Sequence, residues 1–252
     1  MKRTDSNIAL QIVLGLITAD VICGFLHWIE DNYIDYCTDI PILKEIARHN
    51  ELHHYYPRSM FAYNYAENIR YTLPMAIGFI LFLYVVNRSL FIKYPYFLLS
   101  LFFFLAISNL IHRNVHKRDC ENNWFILTLQ KIGLLCSHDH HSIHHTIGKQ
   151  KYCIMLPINN YILDGISFWN GLESFIYLTT NKKGSKKINY EEYSIIHNHM
   201  HENAKIDCPD KPTKEDMKEL FKNLDNYKRC NYSNILSNTA PPADDKNPKK
   251  KY

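Results

Sequence analysis

Apolar residues gather in long, nearly uncharged runs over the first two thirds of the chain and thin out afterwards. Ile8 to Leu26 is broken only by Gln11 and Asp20; Tyr71 to Val86 is shorter; Tyr94 to Ile111 carries no charge and is rich in Phe and Leu. A bilayer core takes roughly 17 to 25 apolar residues of helix, so each run predicts a membrane span. Buried helices of a soluble protein share this pattern, but the length and Phe content of the third run favour lipid. The polar turn Asn87-Arg88 to Lys93 folds the second and third runs into a hairpin. Cys153 to Leu178 is apolar but broken by Pro157, Asp164, Gly165 and Glu173, and reads as an interfacial or re-entrant segment. The predicted fold is therefore all-α: an integral membrane protein with about three transmembrane helices, a cytosolic His-rich helical cap and the interfacial segment. Residues 1–180 form the membrane domain, and residues 181–252 a polar, flexible cytosolic tail.

This topology puts every histidine cluster on one membrane face. His27 follows the first span, His53 and His54 precede the second, and the hairpin returns to the same face at His112. That face also carries Lys44, Arg48, Arg58, Arg70, Arg113, Lys117, Arg118 and Lys131, against Lys2, Arg3, Arg88 and Lys93 opposite. The positive-inside rule makes it cytosolic.

Composition narrows the classes. The 252 residues are 46% hydrophobic with a net charge of +4, and no basic stretch is interleaved with aromatics as a nucleic-acid groove requires. Seven scattered cysteines without a C-x-x-C pair argue against a disulfide scaffold or a zinc ribbon. The first apolar run lacks a small-residue cleavage site and reads as retained rather than as a signal peptide.

The chemistry lies in the fourteen histidines. His112 and His116 stand four apart, as do His140 and His144, and His141 and His145; on a helix such pairs share a face. His27 has Asp31 one turn later. Neutral imidazole is the commonest metal ligand, and imidazole-rich sites suit iron, copper, nickel or zinc. Zinc usually closes with four ligands. Nine clustered imidazoles (His27, His53, His54, His112, His116, His140, His141, His144 and His145) exceed that, and two irons sharing them is the simpler count. His49 and His138 flank the clusters, and the His197, His199, His201 run in the tail reads as incidental. A carboxylate within a span is costly, which makes Asp20 a functional candidate; its expected role is a hydrogen bond to the far nitrogen of a ligating imidazole. No G-x-G-x-x-G, P-loop or G-x-S-x-G pattern is present, so a redox enzyme of this sequence takes its electrons from a partner protein.

An ordered string of residues resembles the Kua, or plasmanylethanolamine desaturase, family of membrane lipid desaturases, which also includes a plastid acyl-lipid desaturase. It runs through Thr18-Ala19-Asp20, Gly24, His27, Trp28, Asp31, His53-His54-x-x-Pro57 and Asn68. It continues with Asn109-x-Ile111-His112-x-x-x-His116, Leu129-Gln130, His140-His141-x-Ile143-His144-His145 and Tyr152-Cys153-Ile154. Asn160-Tyr161 and Phe168-Trp169-x-x-Leu172-Glu173 close it. The resemblance covers roughly residues 17–178. It implies a di-iron centre on the nine histidines, supported by Asp20, Asp31, Asn68, Asn109 and Glu173. It further implies dioxygen as co-substrate, a phospholipid substrate, and cytochrome b5 with its NAD(P)H-dependent reductase as electron donors. The implied location is the endoplasmic reticulum membrane, in agreement with the dilysine-like terminus Lys249-Lys250-Lys251-Tyr252. The implied reaction desaturates a lipid chain, in one branch turning a 1-O-alkyl ether phospholipid into the vinyl-ether plasmalogen. The chain would lie in an apolar tunnel lined by residues such as Phe102, Phe103 and Phe104.

There are departures. Family members often carry another histidine just past the last box, where Lys149 or its neighbours stand here, and an additional hydrophobic segment upstream of the first matching span. The tail from residue 181 matches no part of the family pattern. An acyl-lipid desaturase or hydroxylase, a non-catalytic scaffold and a metal transporter are the competing readings. A transporter places its ligands near the bilayer midplane, whereas these histidines crowd one face.

Overall fold

A computed structural model describes residues 8–184 and 211–237. Every regular element among the described residues is helical, in agreement with the all-α membrane fold. Helix α1 (Ile8–Tyr33) has 26 residues, about 39 Å at 1.5 Å per residue. That exceeds a bilayer core of about 30 Å, so the last turns, with His27 and Asp31, project beyond it. After α2 (Pro41–Tyr55) and a 3₁₀ turn (Pro57–Ala62), α3 (Tyr65–Ile69) and α4 (Thr72–Val86) make the second span. The short α5 (Ser89–Lys93) turns the chain into α6 (Pro95–Ala106) and α7 (Ser108–Val115).

The third apolar run is a broken helix. It bends by 54° between α6 and α7. The bend survives because local hydroxyls take the freed carbonyls: Thr72 Oγ1 donates to Ala106 O at 2.7 Å, and Ser108 Oγ to Leu105 O at 2.9 Å. The kink turns α7 so that His112 faces inward.

α1 and α6 run parallel and in close contact at Gly15, where a Cβ would fall 2.6 Å from Phe97 O. Small residues at a helix crossing let backbones approach in this way; Ser100 Oγ then reaches Ile12 O at 2.7 Å. α4 packs antiparallel to α6 through Ala76, Leu98, Leu101 and Leu105.

The cap follows: α8 (Trp124–Lys131), α9 (His138–Ile147), α10 (Pro157–Gly165) and α11 (Phe168–Thr180). Between α9 and α10 the stretch Tyr152–Met155 is fully buried. Within the segment expected to be a polar tail, α12 (Lys214–Ser237) buries Met217, Leu220, Phe221 and Leu224 against Tyr36, Leu52 and Tyr55. These four recur at i, i+3, i+4 and i+7, one face of an amphipathic helix. Arg48 fixes the dock with Nε and Nη2 on the two oxygens of Asp225, at 3.1 and 2.9 Å. The His197–His201 run and the Lys249–Tyr252 terminus lie outside the described residues.

Candidate metal centre

The ends of α1, α2, α7 and α9 converge on a buried pocket of imidazoles. α9 is set by the Ser137 side chain, which caps its first turn, and by Gly148 at φ +68°, which ends it. A left-handed residue is the usual helix stop and glycine adopts it without strain. In that orientation, His141 and His145 face α2 and α7, and His144 faces α1.

Two groups result. His53, His112, His116, His141 and His145 form one; His27, Asp31, His54 and His144 form the other. Within each, the ligand-capable atoms lie within 4.8 Å of one another. The groups adjoin, with the His54 and His145 ring centroids 4.9 Å apart.

The first group cannot be an ordinary hydrogen-bond network. His112 Nε2 lies 3.2 Å from His53 Nε2, 3.2 Å from His116 Nε2 and 2.9 Å from His141 Nε2; His145 Nε2 lies 3.3 Å from His141 Nε2. A ring nitrogen of neutral imidazole carries one proton or one lone pair, and cannot satisfy three like neighbours. A cation at about 2.1 Å from each nitrogen would place neighbouring ligands about 3 Å apart, the spacing seen. Burial, reinforced by the surrounding imidazoles, holds His53, His141 and His145 well below the ordinary imidazole pKa, with lone pairs free.

The second group passes the same test differently. His27 Nε2 and His144 Nε2 are buried without a hydrogen-bond partner, and both face the buried Asp31 carboxylate. His144 Nε2 stands 3.1 Å and His27 Nε2 3.7 Å from Asp31 Oδ2. Their opposite ring nitrogens are fixed: His27 Nδ1 on Tyr152 O at 3.1 Å and His144 Nδ1 on Gln150 O at 2.9 Å. These carbonyl contacts select the tautomer that aims Nε2 inward. Asp31 Oδ1 is itself held by Asn50 Nδ2 at 2.9 Å and lies 2.8 Å from His54 Nε2. The donor set, imidazole with one carboxylate, suits iron, the metal expected from the histidine count; zinc and copper share the preference.

Several expected residues take other places. His140 belongs to neither group: its Nε2 lies 3.1 Å from Asn160 Nδ2 and its ring packs against Tyr161. Burial and the nearby Lys151 push its pKa down to about 4, so it accepts the amide proton. Asp20 touches no imidazole. Its carboxylate accepts the N–H groups of Ile154, Met155 and Leu156 and the amide of Asn159, at 2.8–3.0 Å. The role expected of it, a bond to the far nitrogen of a ligating imidazole, is taken at His27 by Tyr152 O, at the head of the loop Asp20 holds. Asn68 gathers the carbonyls of Met60, Tyr63 and Asn64, and Asn109 Nδ2 donates to Asn68 O, so both brace the turn that leads into α4. Glu173 is half-buried on α11, and exposed Lys149 stands just past α9; neither is in a group. Asp31, expected in support, stands among the candidate ligands.

A cavity of about 900 Å³ opens beside the first group. Along α1 its wall passes from Ile22 and Phe25 through His27 to Glu30; opposite, it passes from Phe79 and Met75 to Arg70 and Glu67. His53 and His112 complete the middle, and Glu45, Arg48 and Phe221 stand at the polar end. Phe102, Phe103 and Phe104, expected to line such a tunnel, do not; Phe103 is exposed on the outer face of α6.

The lipid desaturase domain matches residues 16–187, about two thirds of the chain and the whole imidazole pocket. The chain belongs to the lipid desaturase family. It is 33% identical over 189 residues to a probable fatty acid desaturase of Acanthamoeba polyphaga mimivirus, covering 73% of this chain and 90% of that one. It is 30% identical over 185 residues to plasmanylethanolamine desaturase 1 of Mus musculus, covering 70% and 67%. Identity to the chloroplastic fatty acid desaturase 4-like 1 of Arabidopsis thaliana is 31% over 173 residues, covering 67% of this chain and 56% of that one. No solved structure matches. Family membership makes this chain a membrane oxidoreductase of lipids.

Proposed function

We propose that the chain is a di-iron desaturase that converts a 1-O-alkyl ether phospholipid, plasmanylethanolamine, into the vinyl-ether plasmalogen. The observation that carries this reading is the cavity, whose wall changes from apolar to charged where His27, His53 and His112 line it. A lipid seated with its tail among Phe25, Met75, Ala76 and Phe79 and its head group among Glu45, Arg48 and Arg70 exposes a head-proximal carbon to the imidazole pocket. The carbon beside the ether oxygen is such a position. Both charge signs at the polar end suit a head group bearing phosphate and ammonium.

Irons held by the two groups would supply the activation of dioxygen that breaking an unactivated C–H bond demands. The residues supply the rest. Asp31, His27 and His144 are oriented by Asn50, Tyr152 O and Gln150 O, so the pocket is preorganised. Two hydrogens leave adjacent carbons, and with two electrons and two protons from a donor, dioxygen becomes two waters. The donor fitting this reading is reduced cytochrome b5 with its NAD(P)H-dependent reductase, reached on the cytosolic face of the endoplasmic reticulum.

A second reading, acyl-lipid desaturation, is favoured by the names of the mimivirus and plant relatives. Expression in a plasmalogen-deficient cell separates the two. Acid-labile vinyl ethers support the first; altered acyl unsaturation without vinyl ethers supports the second and overturns the first.

A further inference from the structure

We propose that, beyond its spans, the chain dips into the bilayer again through the α8–α9 connection, and that this connection, with α10, forms an apolar wedge seated among the acyl chains of the leaflet on the histidine side. The depth follows from a ladder of hydrogen bonds. Asn159 Nδ2, near the start of α10, donates to Ile17 O of α1 at 3.3 Å. Ile17 lies ten residues before His27, about 15 Å along the helix, and so falls inside a ~30 Å hydrocarbon core. Met155 N donates to Asp20 in the same part of α1. Cys136 N then donates to Met155 O at 2.9 Å, bringing the α8–α9 connection down beside it.

Irregular backbone at that depth requires internal partners, and it has them. Asp20 takes three N–H groups of the 154–156 stretch, and the Asn160 side chain takes both polar groups of Cys153, at 2.9 and 2.7 Å. Gly133, at φ +73°, makes the turn into open space: a Cβ there would meet nothing within 4 Å.

The outer surface of these segments is what acyl chains would meet. Ile132 and Leu134 are 62% and 57% exposed, and Ile158 and Ile162 53% and 55%. Lys131 is the one charged residue between Trp124 and Cys136, and none occurs between Ile154 and Leu163. Trp124, at the start of α8, is 77% exposed and would sit at the head-group level, where tryptophan concentrates. Continuity with α1 through the ladder favours lipid over a second copy of the chain.

The test uses the full chain in phosphatidylcholine proteoliposomes. Trp28 and Trp169 are buried, so the difference between wild type and Trp124→Phe isolates Trp124. Leu134→Trp and Ile162→Trp, each in the Trp124→Phe background, report on the connection and on α10. With phosphatidylcholine brominated midway along its chains, the two new tryptophans lose most of their emission and resist aqueous iodide; Trp124 is quenched best by bromines near the glycerol. Quenching by iodide and not by bromolipid overturns the proposal. So does shielding from both that is lost on dilution into excess lipid, which is the signature of a second copy. If an engineered variant fails to fold, Trp124 in the wild-type chain still decides: iodide quenching without bromolipid quenching refutes the wedge.

Discussion

The carboxylate of Asp20 accepts the backbone N–H of Met155 at 2.8 Å, linking residues 135 positions apart in the middle of the first span. Through the loop that starts at Tyr152, this contact reaches the imidazole pocket, because Tyr152 O holds His27 Nδ1. Asp20 thus orients an imidazole it does not touch.

Asp20→Ala leaves the N–H groups of Ile154, Met155 and Leu156 without their acceptor. Each unpartnered buried donor costs about 1–3 kcal/mol, so the variant should unfold at markedly lower temperature and bind less iron. Thermal unfolding and metal analysis of the purified protein check this. Wild-type iron content in the variant would disconnect Asp20 from the pocket.

His140 and His144 sit one helical turn apart and should behave oppositely. His144→Ala removes a member of the second group and should lose about one metal equivalent per chain, with desaturation abolished and the protein still in membranes; His112→Ala should do the same to the first group. His140→Ala should keep both metals, since His140 only accepts from Asn160. Iron stoichiometry by mass spectrometry decides, and a metal-depleted His140→Ala protein would contradict the division into these two groups.

The spans were legible because run length alone reports them, and the pairs His112/His116 and His141/His145 because four-residue spacing shares a helix face. The bend after Ala106 was not, since it depends on Thr72, 34 residues away, taking a carbonyl. The division of the 140–145 block was not either: it needs the rotation of α9, fixed by Ser137 and Gly148 within a fold the spacing cannot supply. Asp20 was legible as important and misread in role, because a sequence shows a costly carboxylate but not the backbone donors that answer it. α12 was readable at Met217, Leu220, Phe221 and Leu224, although charged neighbours mask the stripe.

α12 should come loose when its buried stripe is cut. Leu220 and Leu224 are 0% and 1% exposed, and truncating a buried leucine costs about 2–5 kcal/mol. The Leu220→Ala/Leu224→Ala pair should release the helix, making the chain cleavable upstream of Lys214, and withdraw Phe221 from the polar end of the cavity. KM for the phospholipid should rise more than kcat falls, since the imidazole groups are built without α12. Limited proteolysis and steady-state kinetics check both; a resistant double variant would show that the dock rests on Arg48 and Asp225 instead.

Ala76 tests where the lipid tail lies. It is buried on α4, lines the cavity and packs near Leu105, so a larger side chain there must occupy the tail's space. Ala76→Phe should lower kcat/KM for long-chain substrate at least about tenfold, equivalent to about 1.4 kcal/mol of transition-state binding, while iron content stays at the wild-type level. Shorter chains should suffer less, because they end before the obstruction. Phe103→Ala, on the exposed outer face of α6, should leave the chain-length profile unchanged. Assaying both variants across a series of alkyl chain lengths separates an interior tail from one lying along the outside of α6: a profile shifted by Phe103→Ala and indifferent to Ala76→Phe would move the substrate out of the cavity.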